Sequence, residues 1–148
     1  MIFFDSSLQA ICSSKFKKIV ALDRDYFPFP WTERKWDGLT DFNYFHLFYD
    51  DEVGCFALFQ LFSEDRYAHL LKIIVGPELR RGGVASHLLG YCCDRLLAMG
   101  LDRCVLEVEE GNEAASALYI KDGFKLIHKQ KSFYSNGAAA HIMEKSFI

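Results

Sequence analysis

The sequence lacks a hydrophobic run long enough to cross a membrane, because polar residues interrupt every apolar stretch before the roughly 18 residues that a spanning helix needs. The apolar start, Met1 to Phe4, is too short for a secretion signal and has no basic flank. An excess of positive charge is also missing, since 17 Lys and Arg residues face 20 Asp and Glu, a net charge of −3. We therefore expect a soluble, cytoplasmic protein that binds neither membranes nor nucleic acid, and a small cationic partner remains open.

Paired cysteine motifs are absent as well. The cysteines have no CxxC or Cys/His spacing and their number is odd, so neither a disulfide framework nor a bound metal is expected. None has the local signature of a nucleophile with its base. We interpret all five as buried or inert thiols of a reducing compartment: Cys12, Cys55, Cys92, Cys93 and Cys104.

Apolar and aromatic residues, by contrast, are plentiful. They make up 51% and 16% of the 148 residues, and a chain of this length can bury a core without disulfides. No repeat, low-complexity stretch or linker interrupts it. We expect one domain over residues 1–148, and either a monomer or a homodimer.

The order of apolar periods predicts helices and strands that alternate through the middle of the chain. Helices are predicted from Ser13 or Ser14, as the cap, to Arg24, then over 32–36, 83–99 and 112–121. Strands are predicted over 42–49, 53–62, 67–75 and 103–109, with a final pair from Phe124 around Asn136-Gly137. The fold class is thus α/β, with hairpin pairing before the long helix and parallel pairing across it.

A turn rich in arginine and glycine precedes the long helix. Gly82 and Gly83 permit positive φ and close approach of a ligand, while Arg80 and Arg81 supply mobile donors. Behind them the helix start, Val84-Ala85-Ser86, presents unpaired N–H groups. Such a turn can cradle a pyrophosphate, but an ordinary solvated turn would have the same composition. Neither the dinucleotide fingerprint GxGxxG nor the Walker pattern is present.

Three segments together resemble one family. The turn after Ile73-Ile74-Val75 has the form RxxGxA; Leu106 to Asn112 reads LEVEEGN and is followed by ALY at 117–119 and GF at 123–124; and residues 29–33 read FPWTE. In this order they resemble the GNAT superfamily of N-acetyltransferases and, within it, the RimI-type ribosomal-protein-alanine N-acetyltransferases, over residues 20 to 134. The resemblance implies a mixed antiparallel and parallel sheet flanked by about four helices. It also implies direct transfer of acetyl from acetyl-CoA to a primary amine, with a protein N-terminus as the first expectation.

The resemblance also implies roles for single residues. Glu107 corresponds to the general base and Tyr119 to the acid that protonates the leaving thiolate. Backbone N–H groups of Ile73, Ile74 and Val75 would hold the thioester carbonyl if that strand is splayed or bulged. Asn112 would cap its helix and contact CoA. The residues that would hold the CoA pyrophosphate are those of the turn: Arg80, Arg81, Gly82, Gly83, Val84, Ala85 and Ser86.

The acceptor is the part that the motifs leave open. Trp31, Glu109 and Tyr134 are expected beside it, but Glu109 stands where the family has Arg, and residues 133–143 depart from the family's hairpin. Glu109, Glu110 and Glu113 make the surroundings of Glu107 acidic, which favours a polyamine, an aminoglycoside or a lysine side chain as the alternative acceptor. A non-catalytic acyl-CoA-binding module is the second alternative. His69 and His128 receive no role.

Overall fold

The computed structural model describes all 148 residues and contains four α-helices and seven β-strands. The helices are α1 (Ser13–Tyr26), α2 (Glu33–Leu39), α3 (Val84–Ala98) and α4 (Glu113–Lys121). The strands are β1 (Phe3–Ser7), β2 (Phe45–Asp50), β3 (Cys55–Phe62), β4 (Tyr67–Val75), β5 (Arg103–Glu109), β6 (Lys125–Gln130) and β7 (Ala140–Ser146). The predicted mixed α/β class with four helices is confirmed. None of the helices combines the length and the apolar character needed to span a membrane.

Several local predictions differ from the structure at element ends. β1 was not predicted, and Cys12, whose side chain makes no cap hydrogen bond, precedes α1 in place of a serine cap. Thr32, the first residue of the helix predicted over 32–36, caps α2 by accepting a hydrogen bond from Lys35 N, and the helix runs three residues further, to Leu39. The last two strands pair around Asn136 and Gly137 as predicted, and these two residues lie in a loop over residues 131–139.

All seven strands form one sheet in the order β1-β2-β3-β4-β5-β7-β6. Every neighbouring pair is antiparallel except β4 and β5, which are parallel and joined across α3 as the sequence pattern predicted. Strand β7 inserts between β5 and β6, and β1 extends the sheet beyond β2.

Strand β4 is bulged and then leaves β5. Leu58 of β3 lies opposite Lys72 and Phe59 lies opposite Leu70, so Leu71 is an extra residue in β4. Pairing between β4 and β5 ends at His69 and Val105, although both strands continue. The two strands therefore diverge, and a cleft opens between them.

The bulge also changes which face of the sheet a β4 side chain meets. Leu70 packs in the core with α3, whereas Ile74 packs in the core with α1 and α2. A one-residue slip reverses the alternation of a strand, which explains why both even-numbered residues are buried on opposite faces. Lys72, beyond the bulge, consequently faces α1.

Candidate active site

The cleft between the diverging ends of β4 and β5, hereafter the β4–β5 cleft, has a volume of about 510 Å³, and 17 of its 24 lining residues are hydrophobic. Eleven of the residues that the sequence singled out line it. These are Trp31, Ile73, Ile74, Val75, Arg80, Ala85, Glu107, Glu109, Asn112, Tyr119 and Tyr134. The fold thus brings both predicted proton-transfer residues, the three predicted acceptor residues and part of the predicted donor set to one cleft.

The arginine–glycine turn lies at one end of this cleft. Gly83 has φ +72° at the N-cap of α3, and Arg81 has φ +70°, a left-handed conformation that only glycine adopts without strain. The first hydrogen bond of α3 joins His87 N to Gly83 O, at 3.1 Å. The three N–H groups before His87 therefore have no partner within the helix and could donate to an anion; that they hold the CoA pyrophosphate stays a prediction.

Two side chains of this end are already engaged. Arg80 donates from Nε to Val75 O at 3.0 Å and lies over the ring of Tyr26. Ser86 donates its hydroxyl to Asp122 Oδ1 at 2.8 Å and does not line the β4–β5 cleft. The remaining turn residues, from Arg81 to Val84, also lie outside the lining. Of this set, only Arg80 and Ala85 reach the cleft itself.

Asn112 caps α4 as predicted. Its Oδ1 accepts a hydrogen bond from Ala115 N at 3.2 Å, and the side chain lines the cleft. The capping bond satisfies one of the free N–H groups at the helix start. Its predicted contact with CoA stays a prediction.

Glu107 lies on β5, and the alternation of side chains along this strand determines which face of the sheet Glu107 occupies. Cys104, Leu106 and Val108 are buried in the core with α3, so Glu107 projects to the other face and into the β4–β5 cleft. Its Oε2 lies 2.5 Å from Nε2 of His69, and both side chains are about a quarter exposed. His69 is a residue of the site to which the sequence analysis gave no role.

Tyr119 lies on α4 and is 7% exposed, packed edge-on against Phe124. Burial raises the pKa of its phenol well above the usual value, and nearby Cys104 and Tyr134 act in the same direction. The hydroxyl therefore stays protonated at neutral pH, which is the state that a proton donor needs.

Lys72 and Asp23 form a buried ion pair that the sequence pattern also missed. Lys72 Nζ lies 2.5 Å from Asp23 Oδ1 and 3.2 Å from Phe29 O, and the side chains are 1% and 0% exposed. Asp23 Oδ2 accepts hydrogen bonds from Trp31 N and Trp36 Nε1, both at 2.9 Å. The pair thus fastens the segment between α1 and α2 to the sheet.

Aromatic rings enclose this ammonium group. Nζ of Lys72 lies 4.2 Å from the ring centroids of both Phe27 and Trp31, and 5.9 Å from that of Trp36. At these distances the rings attract a cation. The packing of Trp31 and Trp36 over the sheet therefore also stabilises the buried charge of Lys72.

The side of the cleft where the acceptor is predicted to bind is built from two loops. Phe29, between α1 and α2, stacks on Tyr134, between β6 and β7, with centroids 5.3 Å apart and planes 13° from parallel. Burial raises the pKa of Tyr134 to about 12, and the carboxylates of Glu107 and Glu109 add to it. This stack covers the cleft beside Glu107.

The acidic surroundings are narrower than the sequence suggested. Glu107 and Glu109 line the β4–β5 cleft, and Glu109 Oε1 accepts a hydrogen bond from Asn136 Nδ2 at 3.2 Å. Glu110 and Glu113 do not line it; Glu110 approaches His141 Nε2 at 3.6 Å, and Glu113 begins α4. Two of the four carboxylates are therefore at the site.

The cysteines are free, and four of the five are buried. Burial raises the pKa of Cys55 to about 12 and that of Cys93 to about 11, so both stay thiols at neutral pH. Cys12 alone is exposed, so the interpretation as buried or inert thiols applies to it only as an inert thiol. No three His, Cys, Asp or Glu side chains come together in a way that could hold a metal ion.

Comparison with known proteins places the chain in one family. Residues 16–124 match the model of the Acetyltransferase (GNAT) family. The [Ribosomal protein bS18]-alanine N-acetyltransferase of Salmonella typhimurium is 33% identical over 108 residues, 72% of each chain. The N-alpha-acetyltransferase of Saccharolobus solfataricus is 34% identical over 95 residues, 64% of this chain and 57% of that one. The crystal structure of the ribosomal-protein-S18-alanine N-acetyltransferase from Escherichia coli superimposes with a TM-score of 0.81 at 25% identity, covering 99% of this chain and 94% of that one. The chain therefore belongs to the acetyltransferase (GNAT) family and is an N-acetyltransferase that takes its acetyl group from acetyl-CoA.

Proposed function

We propose that this enzyme acetylates the N-terminal α-amine of a protein or peptide. The observation that carries the proposal is the convergence of Glu107 and Tyr119 on the β4–β5 cleft, on a chain whose relatives from Salmonella and Saccharolobus are named for α-amine and alanine N-acetylation. An extended peptide end fits a cleft whose outer wall is the Phe29–Tyr134 stack.

The donor would occupy the end of the cleft beside α3. The unpaired N–H groups of Val84, Ala85 and Ser86 and the side chain of Arg80 would hold the pyrophosphate. The apolar walls suit the pantetheine arm. Beyond the bulge, from Leu71 to Val75, the edge of β4 that faces β5 has N–H groups without a strand partner, and these would hold the thioester oxygen.

Proton transfer would use one group on each side of the acetyl carbon. Glu107 takes a proton from the ammonium form of the acceptor, so that the amine lone pair can attack the carbonyl carbon. A C–N bond forms, the C–S bond breaks, and the phenol of Tyr119 gives its proton to the departing sulfur. A positioned base or acid of this kind contributes roughly 10²–10⁴-fold to the rate.

A small cationic amine is the second candidate acceptor, because Glu109 adds a carboxylate to the same face as Glu107. Two points weigh against it. Glu109 is engaged by Asn136, and Glu110 and Glu113 lie outside the cleft. A non-catalytic acyl-CoA-binding module would have no use for Glu107 and Tyr119 at one site.

An acceptor panel with CoA release as the readout tests the proposal. It contains a peptide with a free N-terminal alanine, the same peptide with a blocked N-terminus, a blocked peptide with one lysine, and spermidine. We expect turnover of the free peptide and not of its blocked twin. Turnover confined to spermidine, or to the blocked lysine peptide, would overturn the α-amine assignment.

A further inference from the structure

The contact between His69 and Glu107 is not used in the proposed mechanism of acetyl transfer. The two residues are 38 positions apart in the sequence, yet His69 Nε2 and Glu107 Oε2 are 2.5 Å apart. His69 and Val105 are the last partners before β4 and β5 diverge, and Glu107 follows Val105 by two positions on the same face. The contact therefore lies where the cleft begins.

The surroundings of the pair leave Glu107 dependent on this one bond. No other side chain of the protein donates a hydrogen bond to its carboxylate. The other charged or titratable groups of the cleft that face it are engaged elsewhere or neutral: Lys72 pairs with Asp23, Glu109 accepts from Asn136, and the raised pKa of Tyr134 keeps it a phenol. Only His69 restrains the carboxylate.

The chemistry of the two groups fixes the direction of the bond. With Glu107 as a carboxylate, the form that its proposed role as base requires, the group can only accept, so the imidazole proton of this contact is on Nε2 and is donated to Oε2. Oε1 then has no partner in the protein and is available to the acceptor amine in the cleft. A glutamate side chain has several rotamers, and a fixed donor removes the entropy loss of selecting one of them at the moment of reaction.

We propose that His69 is the positioning residue for Glu107. This inference rests on the proposed role of Glu107 as the base. The imidazole holds Oε2, Oε1 takes the proton from the acceptor ammonium as its N–H bond breaks, and His69 keeps its own proton throughout. The proton on Glu107 returns to solvent after the product leaves.

The test compares His69→Phe, which fills the space without a donor, with His69→Gln, whose amide N–H can still reach the carboxylate. We expect His69→Phe to lower kcat about 10²-fold, since a misplaced catalytic group costs about that much, with little change in KM for acetyl-CoA. The kcat of His69→Gln is expected to be about tenfold higher than that of His69→Phe. Melting temperatures are measured in parallel, and His69→Leu replaces His69→Phe if the larger ring destabilises the fold.

The same substitutions are then made in a Glu107→Gln background, with whichever amine the wild type acetylates best. Residues that act as a unit are not additive, so His69→Phe should change kcat by less than about twofold there. The positioning role would be overturned if His69→Phe lowered kcat equally in the wild-type and Glu107→Gln backgrounds. It would also be overturned if His69→Gln had a kcat as low as that of His69→Phe. If Glu107→Gln itself keeps wild-type kcat, the proposed base is wrong; if it loses activity while His69→Phe does not, only the inference about His69 fails.

Discussion

The buried pair of Lys72 and Asp23 gives the sharpest test of the packing beside the site. Asp23→Asn would leave the Lys72 ammonium, 1% exposed, without an anion, and Lys72→Met would leave the carboxylate without its cation. Breaking a buried pair by removing one partner costs about 3–5 kcal/mol. Lys72→Met should be the milder change, because Trp31 N and Trp36 Nε1 still donate to Asp23.

Urea unfolding is the suitable assay, because urea does not screen charges as guanidinium does. Each single variant should lose about 3–5 kcal/mol of unfolding free energy, or roughly 6–20 °C of melting temperature in a chain of this size. The double variant should lose less than the sum of the two, with a coupling of about 1–3 kcal/mol. Lys15→Met is the matched control, since Lys15 pairs with Asp51 at the surface; a much smaller change is expected there. Losses below about 1 kcal/mol for both single variants, or strictly additive losses, would refute the reasoning.

Three further outcomes are expected. Burial alone would raise the pKa of Asp5, but hydrogen bonds with Arg95, His46 and Tyr91 outweigh this effect and hold the pKa below its usual value. The stability that the lowered pKa contributes is fully present above the pKa that Asp5 has in the unfolded chain. It is lost as the pH falls through the lower pKa that Asp5 has in the folded protein. The acid unfolding curve of Asp5→Asn should therefore lack the loss of stability that protonation of Asp5 causes in the wild type below about pH 4. The curve of the exposed control Asp94→Asn should keep this loss. Identical acid unfolding curves for the wild type and Asp5→Asn would contradict the argument. A thiol reagent at neutral pH should label Cys12 alone in the folded protein and all five cysteines after denaturation, without loss of activity; rapid labelling of a second thiol would contradict the burial of the rest. Arg80→Ala should raise KM for acetyl-CoA roughly tenfold with a smaller effect on kcat, and an unchanged KM would remove Arg80 from the donor site.

The parts of the fold that local pattern dictates were predictable. The periodic apolar side chains predicted α3 over residues 83–99, and the alternation of residues 103–109 is enough to place Glu107 opposite the buried side chains of β5. Strand β1 and the insertion of β7 between β5 and β6 were not predictable, because contacts between distant parts of the chain determine which strands pair.

The candidate site divides in the same way. Glu107, Tyr119 and Asn112 belong to motifs, so their gathering at one cleft could be anticipated. The contacts of His69 with Glu107 and of Asp23 with Lys72 could not be anticipated, because the partners are 38 and 49 positions apart in the sequence. Alternation along β4 marks Lys72 as buried, but the face of the sheet on which it is buried depends on the bulge at Leu71, and no local signal in the sequence marks that bulge.

The central claim is that acetyl transfer takes place in the β4–β5 cleft with Glu107 as base and Tyr119 as acid. Its most direct test is the kcat of Glu107→Gln and Tyr119→Phe with the acceptor that the wild type uses, alongside the stabilisation of each protein by acetyl-CoA. The account predicts that kcat falls by roughly 10²–10⁴ in each variant. At 100 times its Kd, acetyl-CoA should still stabilise all three proteins by about 2.7 kcal/mol. Wild-type kcat in either variant would contradict the role assigned to that residue, and no stabilisation of the wild type by acetyl-CoA would contradict the donor site.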